Sequence, residues 1–397
     1  MPQINRSVAA VLGVSLAIVT SLVSDAAAQD AAPGAGDDGG LIVFIGTSSS
    51  PKSQGIYLTR MDPKTGALST PQLAVEAKSP NFLAFHPNNK FLYACAELTD
   101  AAGAKSGGVG AFSIDAKTGK LTALNQQPSG GRGPCYVAVD KTGRNVLVAN
   151  YGSGGVACLP IGDDGTLREP SSVIQHEGGS KVVKKRQDGP HAHWINTDAS
   201  NRFVLAADLG LDKVMLYQFD PAKGTLTPND PPAGITPPGA GPRHIAWHPS
   251  QKIVYVINEL GNTVTAFHFD PERGAMTEFQ TVPSLPADFK DKNNTTAEVV
   301  VHPNGKFLYG SNRGHDSIAL FAIGADGKLT PRGHTSTQGE VPRNFVIDPS
   351  GQFLLAANQK TDTVVVFKIN QETGELTPTG SKIEVGAPVC LRFLPSR

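Results

Sequence analysis

The sequence predicts an all-β fold: a seven-bladed β-propeller of four-stranded antiparallel blades, closed by the C-terminal strand joining the N-terminal strands. Three observations predict it. One motif recurs six times, at intervals of 46–58 residues, a period that belongs to propeller-type repeats. Each repeat divides into four short aliphatic and aromatic runs separated by Pro, Gly, Asn and Asp, the punctuation of antiparallel strands. Finally, residues 41–70 read as a blade without its first strand, and "APVCLRFLP" from Ala387 reads as a first strand without its blade.

The repeats are "SPNFLAFHPNNKFLYACAEL" from Ser79, "GPCYVAVDKTGRNVLVANYG" from Gly133, "HAHWINTDASNRFVLAADLG" from His191, "GPRHIAWHPSQKIVYVINEL" from Gly241, "TTAEVVVHPNGKFLYGSNRG" from Thr295 and "VPRNFVIDPSGQFLLAANQK" from Val341. In the fifth blade the four strands are expected at Arg243–Trp247, Ile253–Asn258, Thr263–Asp270 and Ala275–Val282. "HPSQ" turns the first strand into the second, and "FDPERG" turns the third into the fourth. The opening strands "LIVFIGT", "GIYLTRMD" and "GALST" then take the final strand as partner, which removes an exposed edge from the ring. Residues 41–397 form one propeller domain on this reading, almost without helix.

With 43 glycines and 30 prolines the composition suits a turn-rich β fold. Lys+Arg and Asp+Glu are 35 each, so no long-range field draws nucleic acid or an anionic membrane. Residues 1–28 read as a secretory signal peptide: Arg6, an apolar run from Val8 to Val23, and Ala26-Ala27-Ala28 as cleavage site. Residues 29–40 are a flexible leader. The mature chain is expected to be exported to a periplasm or secreted, with no membrane segment after cleavage, and to act as a monomer. Cys95, Cys135, Cys158 and Cys390 match no zinc spacing. Paired disulfides and buried free thiols both remain open.

In a propeller the first strand of each blade lines the axis. The start of that strand and the turn between second and third strands therefore share one face, and the "HP" turns lie on the other. His86, His248 and His302 are structural on this reading. The mouth face collects the residue after each repeat's proline position: Asn81, Cys135, His193, Arg243, Ala297, Arg343 and Val389. It also collects the residues ending second strands, among them Glu97, Tyr151, Asp208, Glu259, Arg313 and Gln359. Blades four to six thus aim His193, Arg243, Glu259 and Arg313 at one pocket, and concave mouths of this kind hold ligands.

An imidazole or carboxylate can take a proton from water. Arginines can grip an anion and stabilise the oxyanion of an attacked ester. The catalytic set is therefore His193, Arg243, Glu259 and Arg313, with Glu259 or His193 as base. His191, Arg343 and Asp208 are expected to bind substrate. His191 and His193 alternate along a strand, and which of them is active stays open. No further ligands accompany them for a metal, and no metal or cofactor is expected. Neither a Gly-x-Ser-x-Gly elbow nor a His-Glu-x-x-His motif is present. The basic run "KVVKKRQ" from Lys181 reads as a solvated loop.

"GPRHIAWHP…VYVINEL", "VHPNGKFLYGSNRGHDSIALF" and "VPRNFVIDPSGQFLLAANQKTDTVVVFKINQETGEL" resemble the seven-bladed propeller lactonases. That family includes bacterial propeller-type 6-phosphogluconolactonases and fungal carboxy-muconate cyclases. The resemblance covers the whole mature chain. It implies hydrolysis of a small lactone, with the histidine of the "HAH" element at His193, the arginine of "PRH" at Arg243, the glutamate of "NEL" at Glu259 and the arginine of "SNRG" at Arg313. The sequence departs from the family in "FIGTSSS", where "YVGTYT" is usual, and in "PHAH", where "PHPH" is usual. An export signal also conflicts with a cytoplasmic phosphosugar substrate. A cyclase-like ring closure and a non-enzymatic binding propeller are the alternative readings.

Overall fold

The computed structural model describes residues 40–99, 105–290 and 293–395. The expected signal peptide and leader, up to Gly39, lie outside the described residues. Seven antiparallel four-stranded sheets follow one another, and no helix occurs among the described residues. Strand Pro388–Phe393 pairs with Leu41–Thr47, which continues through Gly55–Met61 to Gln72–Glu76. The ring therefore closes with a composite first blade.

Blade five consists of Pro242–Trp247, Ile253–Asn258, Thr263–Asp270 and Ala275–Pro283. Each boundary lies within one residue of the expectation, because the turn residues fix the strand ends. Second strands such as Asn145–Asn150, Phe203–Asp208 and Phe353–Asn358 are buried along their whole length. They are packed between neighbouring blades on both faces, and for that reason they read as unbroken apolar runs.

Polar staples join the blades. The "HP" histidines reach across to the next blade's first turn: His86 Nε2 donates to Gly143 O at 2.8 Å and His302 Nε2 to Gly351 O at 2.8 Å. On second strands, the hydroxyls of Tyr93, Tyr255 and Tyr309 donate to Gly165, Gly327 and Gly374 carbonyls at 3.0, 2.7 and 2.7 Å. All four cysteines are free thiols.

The first strands carry one further device. In blades one, three, four, five and seven the pairing register slips by one residue at the mouth end. The extra residues are Val389, Cys135, His193, Arg243 and Arg343. Blade six places Ala297 and Glu298 across from Ser311 alone. Bulges of this kind re-aim a side chain, and here they turn it toward the axis. The expected simple alternation of His191 and His193 is overturned by the same slip, since His193 is the bulged residue.

Candidate functional site

A small cavity of about 20 Å³ lies on the axis, walled by Asn81, Cys135, His193, Arg243, Arg343 and Val389, with Phe82 and His244 one residue further along their strands. Beside it a carboxylate is gripped by three guanidiniums. Glu259 Oε2 accepts from Arg243 Nε at 3.0 Å and pairs with Arg313 at 3.0 Å. Its Oε1 accepts from Arg186 at 2.5 Å. Arg243 is 2% exposed and also donates to Ala297 O at 2.7 Å. Arg313 donates to Thr296 O at 2.7 Å and keeps a buried Nε without a partner.

Burial would raise the Glu259 carboxyl. Arg313 and Arg243, followed by His193 and Arg186, outweigh it and hold the group far below the usual carboxylate range. Burial lowers Arg243 to about 9, helped by Arg343 and Arg313 and opposed by Glu259. The cluster carries excess positive charge, because Arg343 faces the cavity with no carboxylate partner among the described residues. His193 is buried, its Nδ1 lacks a partner, and burial, then Arg243 and His244, push it well below an ordinary imidazole. It stays neutral and basic in form at neutral pH. The Cys135 thiol, pushed up to about 12 by burial, is no nucleophile there.

His193, Arg243, Glu259 and Arg313 are thus brought together, with Arg343 on the same cavity. His191 lies one shell out. Its ring stacks on Tyr151 at 4.6 Å and its Nδ1 donates to Tyr151 O at 2.9 Å, while Tyr151 lies edge-on to His193 at 5.4 Å. Asp208 is not brought to the mouth. Its fully buried carboxylate takes His176 Nδ1 at 2.6 Å and the amides of His191, Gly210 and Leu211, so it shapes the loop behind the site.

Arg186 is the member of the cluster that sequence reasoning missed. The "KVVKKRQ" segment is not simply solvated: Gln187 is buried, donates to Leu209 O and Asp212 Oδ1 at 2.9 and 2.6 Å, and accepts from Val183 N. That anchor delivers Arg186 to Glu259 and to the Tyr151 hydroxyl. The signal was available as an interval of 58 residues into blade four, the longest in the series.

Comparison with known proteins identifies the family. The profile of the family described as "Lactonase, 7-bladed beta-propeller" matches residues 42–393. The 6-phosphogluconolactonase of Bacillus subtilis is 41% identical over 354 residues, 89% of this chain and 98% of the Bacillus protein. The 6-phosphogluconolactonase of Pectobacterium carotovorum is 33% identical over 338 residues, 85% and 93% of the two chains. Among solved structures, the periplasmic gluconolactonase of Pseudomonas aeruginosa superposes with a TM-score of 0.84 at 31% identity, covering 90% of this chain and 99% of that one. Fold and site together define an ester hydrolase of the propeller class. The chain belongs to the seven-bladed β-propeller lactonase family.

Proposed function

We propose that the protein hydrolyses a sugar lactone, that His193 is the base which activates water, and that Arg243 and Arg313 stabilise the developing oxyanion. The observation that carries this reading is the saturation of Glu259 by three arginines. Both oxygens of that carboxylate are taken by guanidiniums, whereas His193 lines the cavity with its Nδ1 unpartnered. The work of the carboxylate is to hold the guanidiniums in place, which leaves the proton to the imidazole at the cavity wall. Preorganised cations aimed at developing charge are the largest single source of rate in such reactions. Arg343, and the outer part of Arg186, face any anionic substituent of the substrate. The relatives named above act on gluconolactones with and without phosphate. The signal-like N-terminal sequence and the periplasmic location of the Pseudomonas relative support export, and with it an unphosphorylated sugar lactone.

The test is proton release, measured by pH-stat, from glucono-1,5-lactone and its 6-phosphate with purified mature protein. Turnover of either lactone that Arg313→Ala lowers by roughly 10²–10³-fold, with the fold intact, upholds the site. A folded wild-type protein that opens neither lactone refutes the reading.

A further inference from the structure

Below the arginine mouth a second polar chain is buried, and the mechanism so far does not use it. Glu298 and His244 occupy equivalent first-strand positions in blades six and five, where blades three and four have Tyr136 and Trp194. His244 Nδ1 and Glu298 Oε1 are 2.9 Å apart. Glu298 is fixed further by Val299 N at 3.0 Å and by the Asn344 amide, whose oxygen in turn accepts from Leu391 N at 2.8 Å. The other ring nitrogen, His244 Nε2, is buried without a partner, and His244 lines the axial cavity 5.2 Å from the His193 ring, centroid to centroid. An orphaned nitrogen on a cavity has its protonation set by the partner of the other ring nitrogen, here a carboxyl.

We infer that Glu298 and His244 form the acid arm of the site, delivering a proton through His244 Nε2 to the ring oxygen that leaves when the lactone opens. This rests on the lactonase reading above. In the protonated pair the Glu298 hydroxyl donates to Nδ1 and Nε2 carries hydrogen. Water adds hydroxide to the acyl carbon and gives its proton to His193. As the acyl C–O bond breaks, Nε2–H protonates the departing oxygen and the Glu298 proton moves to Nδ1. The pair ends as a carboxylate facing Nδ1–H, with Nε2 bare. The proton held on His193 then restores it.

The surroundings favour this relay over an imidazolium. His244 is held far below an ordinary imidazole, first by burial and then by Arg243, Arg392, Arg343 and Arg313. Burial raises Glu298 to about 7, against the pull of Arg392 and Arg243. Tyr136 and Cys390 also face the pair, and both stay neutral because burial raises them. The acid form is therefore present below about pH 7 and lost above it.

Two measurements test the inference. On whichever gluconolactone is turned over, wild-type kcat should fall as pH rises through about 7. Glu298→Gln should lose that limb and run roughly 10²-fold slower with KM unchanged; a limb that survives in Glu298→Gln overturns the assignment. Nitrogen-15 NMR of the histidines, without substrate, should show His244 switching from Nε2–H to Nδ1–H as pH rises from 6 to 8, its signals identified by contact with the Tyr136 and Phe82 rings. An unchanged Nδ1–H tautomer across that range overturns it, whether or not any lactone is hydrolysed.

Discussion

Glu259 and Glu298 are both buried carboxylates, yet their neighbours drive them in opposite directions. Glu259 meets three arginines and is depressed from 4.5, so its contribution to stability is complete above about pH 4.5 and is lost only as pH falls toward its folded value. Removing it strands Arg243 in the interior. Glu259→Ala should cost about 3–5 kcal/mol by denaturant titration and abolish lactone turnover. Glu298 is raised from 4.5 to about 7. Its burial is harmless below about pH 4.5 and increasingly costly up to 7, reaching about 3 kcal/mol. The Tm of Glu298→Gln relative to wild type should therefore climb between pH 5 and pH 8; a flat or falling difference contradicts the raised carboxyl. Arg343, without a carboxylate partner among the described residues, should act mainly in binding: Arg343→Ala is expected to raise KM about tenfold and leave kcat nearly unchanged.

The residues that could be read beforehand were those tied to the repeat. Arg243, Arg313 and Glu259 stand at positions every blade shares, so the repeat alone assigns them to the mouth. Glu298 shares such a position too, but one step down the strand, among valines, where a carboxylate carries no obvious role until His244 and Asn344 are seen around it. Asp208 was misplaced by one residue of register: it pairs with Ala192 as Asn258 pairs with Pro242, so the counterpart of Glu259 in blade four is Leu209. Arg186 lies outside the repeat altogether, and its loop shows only a polar composition.

Among elements, the blade-four loop and the lower turns divide the labour. The loop brings charge to the mouth through Gln187, which itself touches no part of the site. Gln187→Ala should reduce kcat/KM about tenfold, and combined with Arg186→Ala should add little more, since both remove the same contact. The lower turns serve stability alone. Gly143 has φ +72°, and a Cβ there would stand 2.5 Å from His86 Nε2. Gly143→Ala is expected to lose about 1–3 kcal/mol by chemical denaturation while kcat/KM stays at the wild-type value. Strand edges and turns were legible almost to the residue because Pro, Gly and Asp set them locally. The bulges were not, since they arise from pairing between strands and leave no mark in either strand alone.

For the whole molecule, closure of blade one joins distant chemistry to the seam. Strand Pro388–Phe393 caps the ring edge, and the same strand supplies Leu391 N to Asn344 and Arg392 to the neighbourhood of Glu298. A chain ending at Ala387 should thus expose the edge of Leu41–Thr47, aggregate, and disturb the axial polar cluster; light scattering and calorimetry would register both. A ring whose residues 42 and 394 are hydrogen-bonded neighbours at 2.9 Å has no privileged origin. Its amino-acid order is effectively circular. Bridging those residues with a short peptide and cutting the exposed turn at Pro271–Arg273, away from the mouth, should yield a permuted protein with the same seven sectors and undiminished turnover.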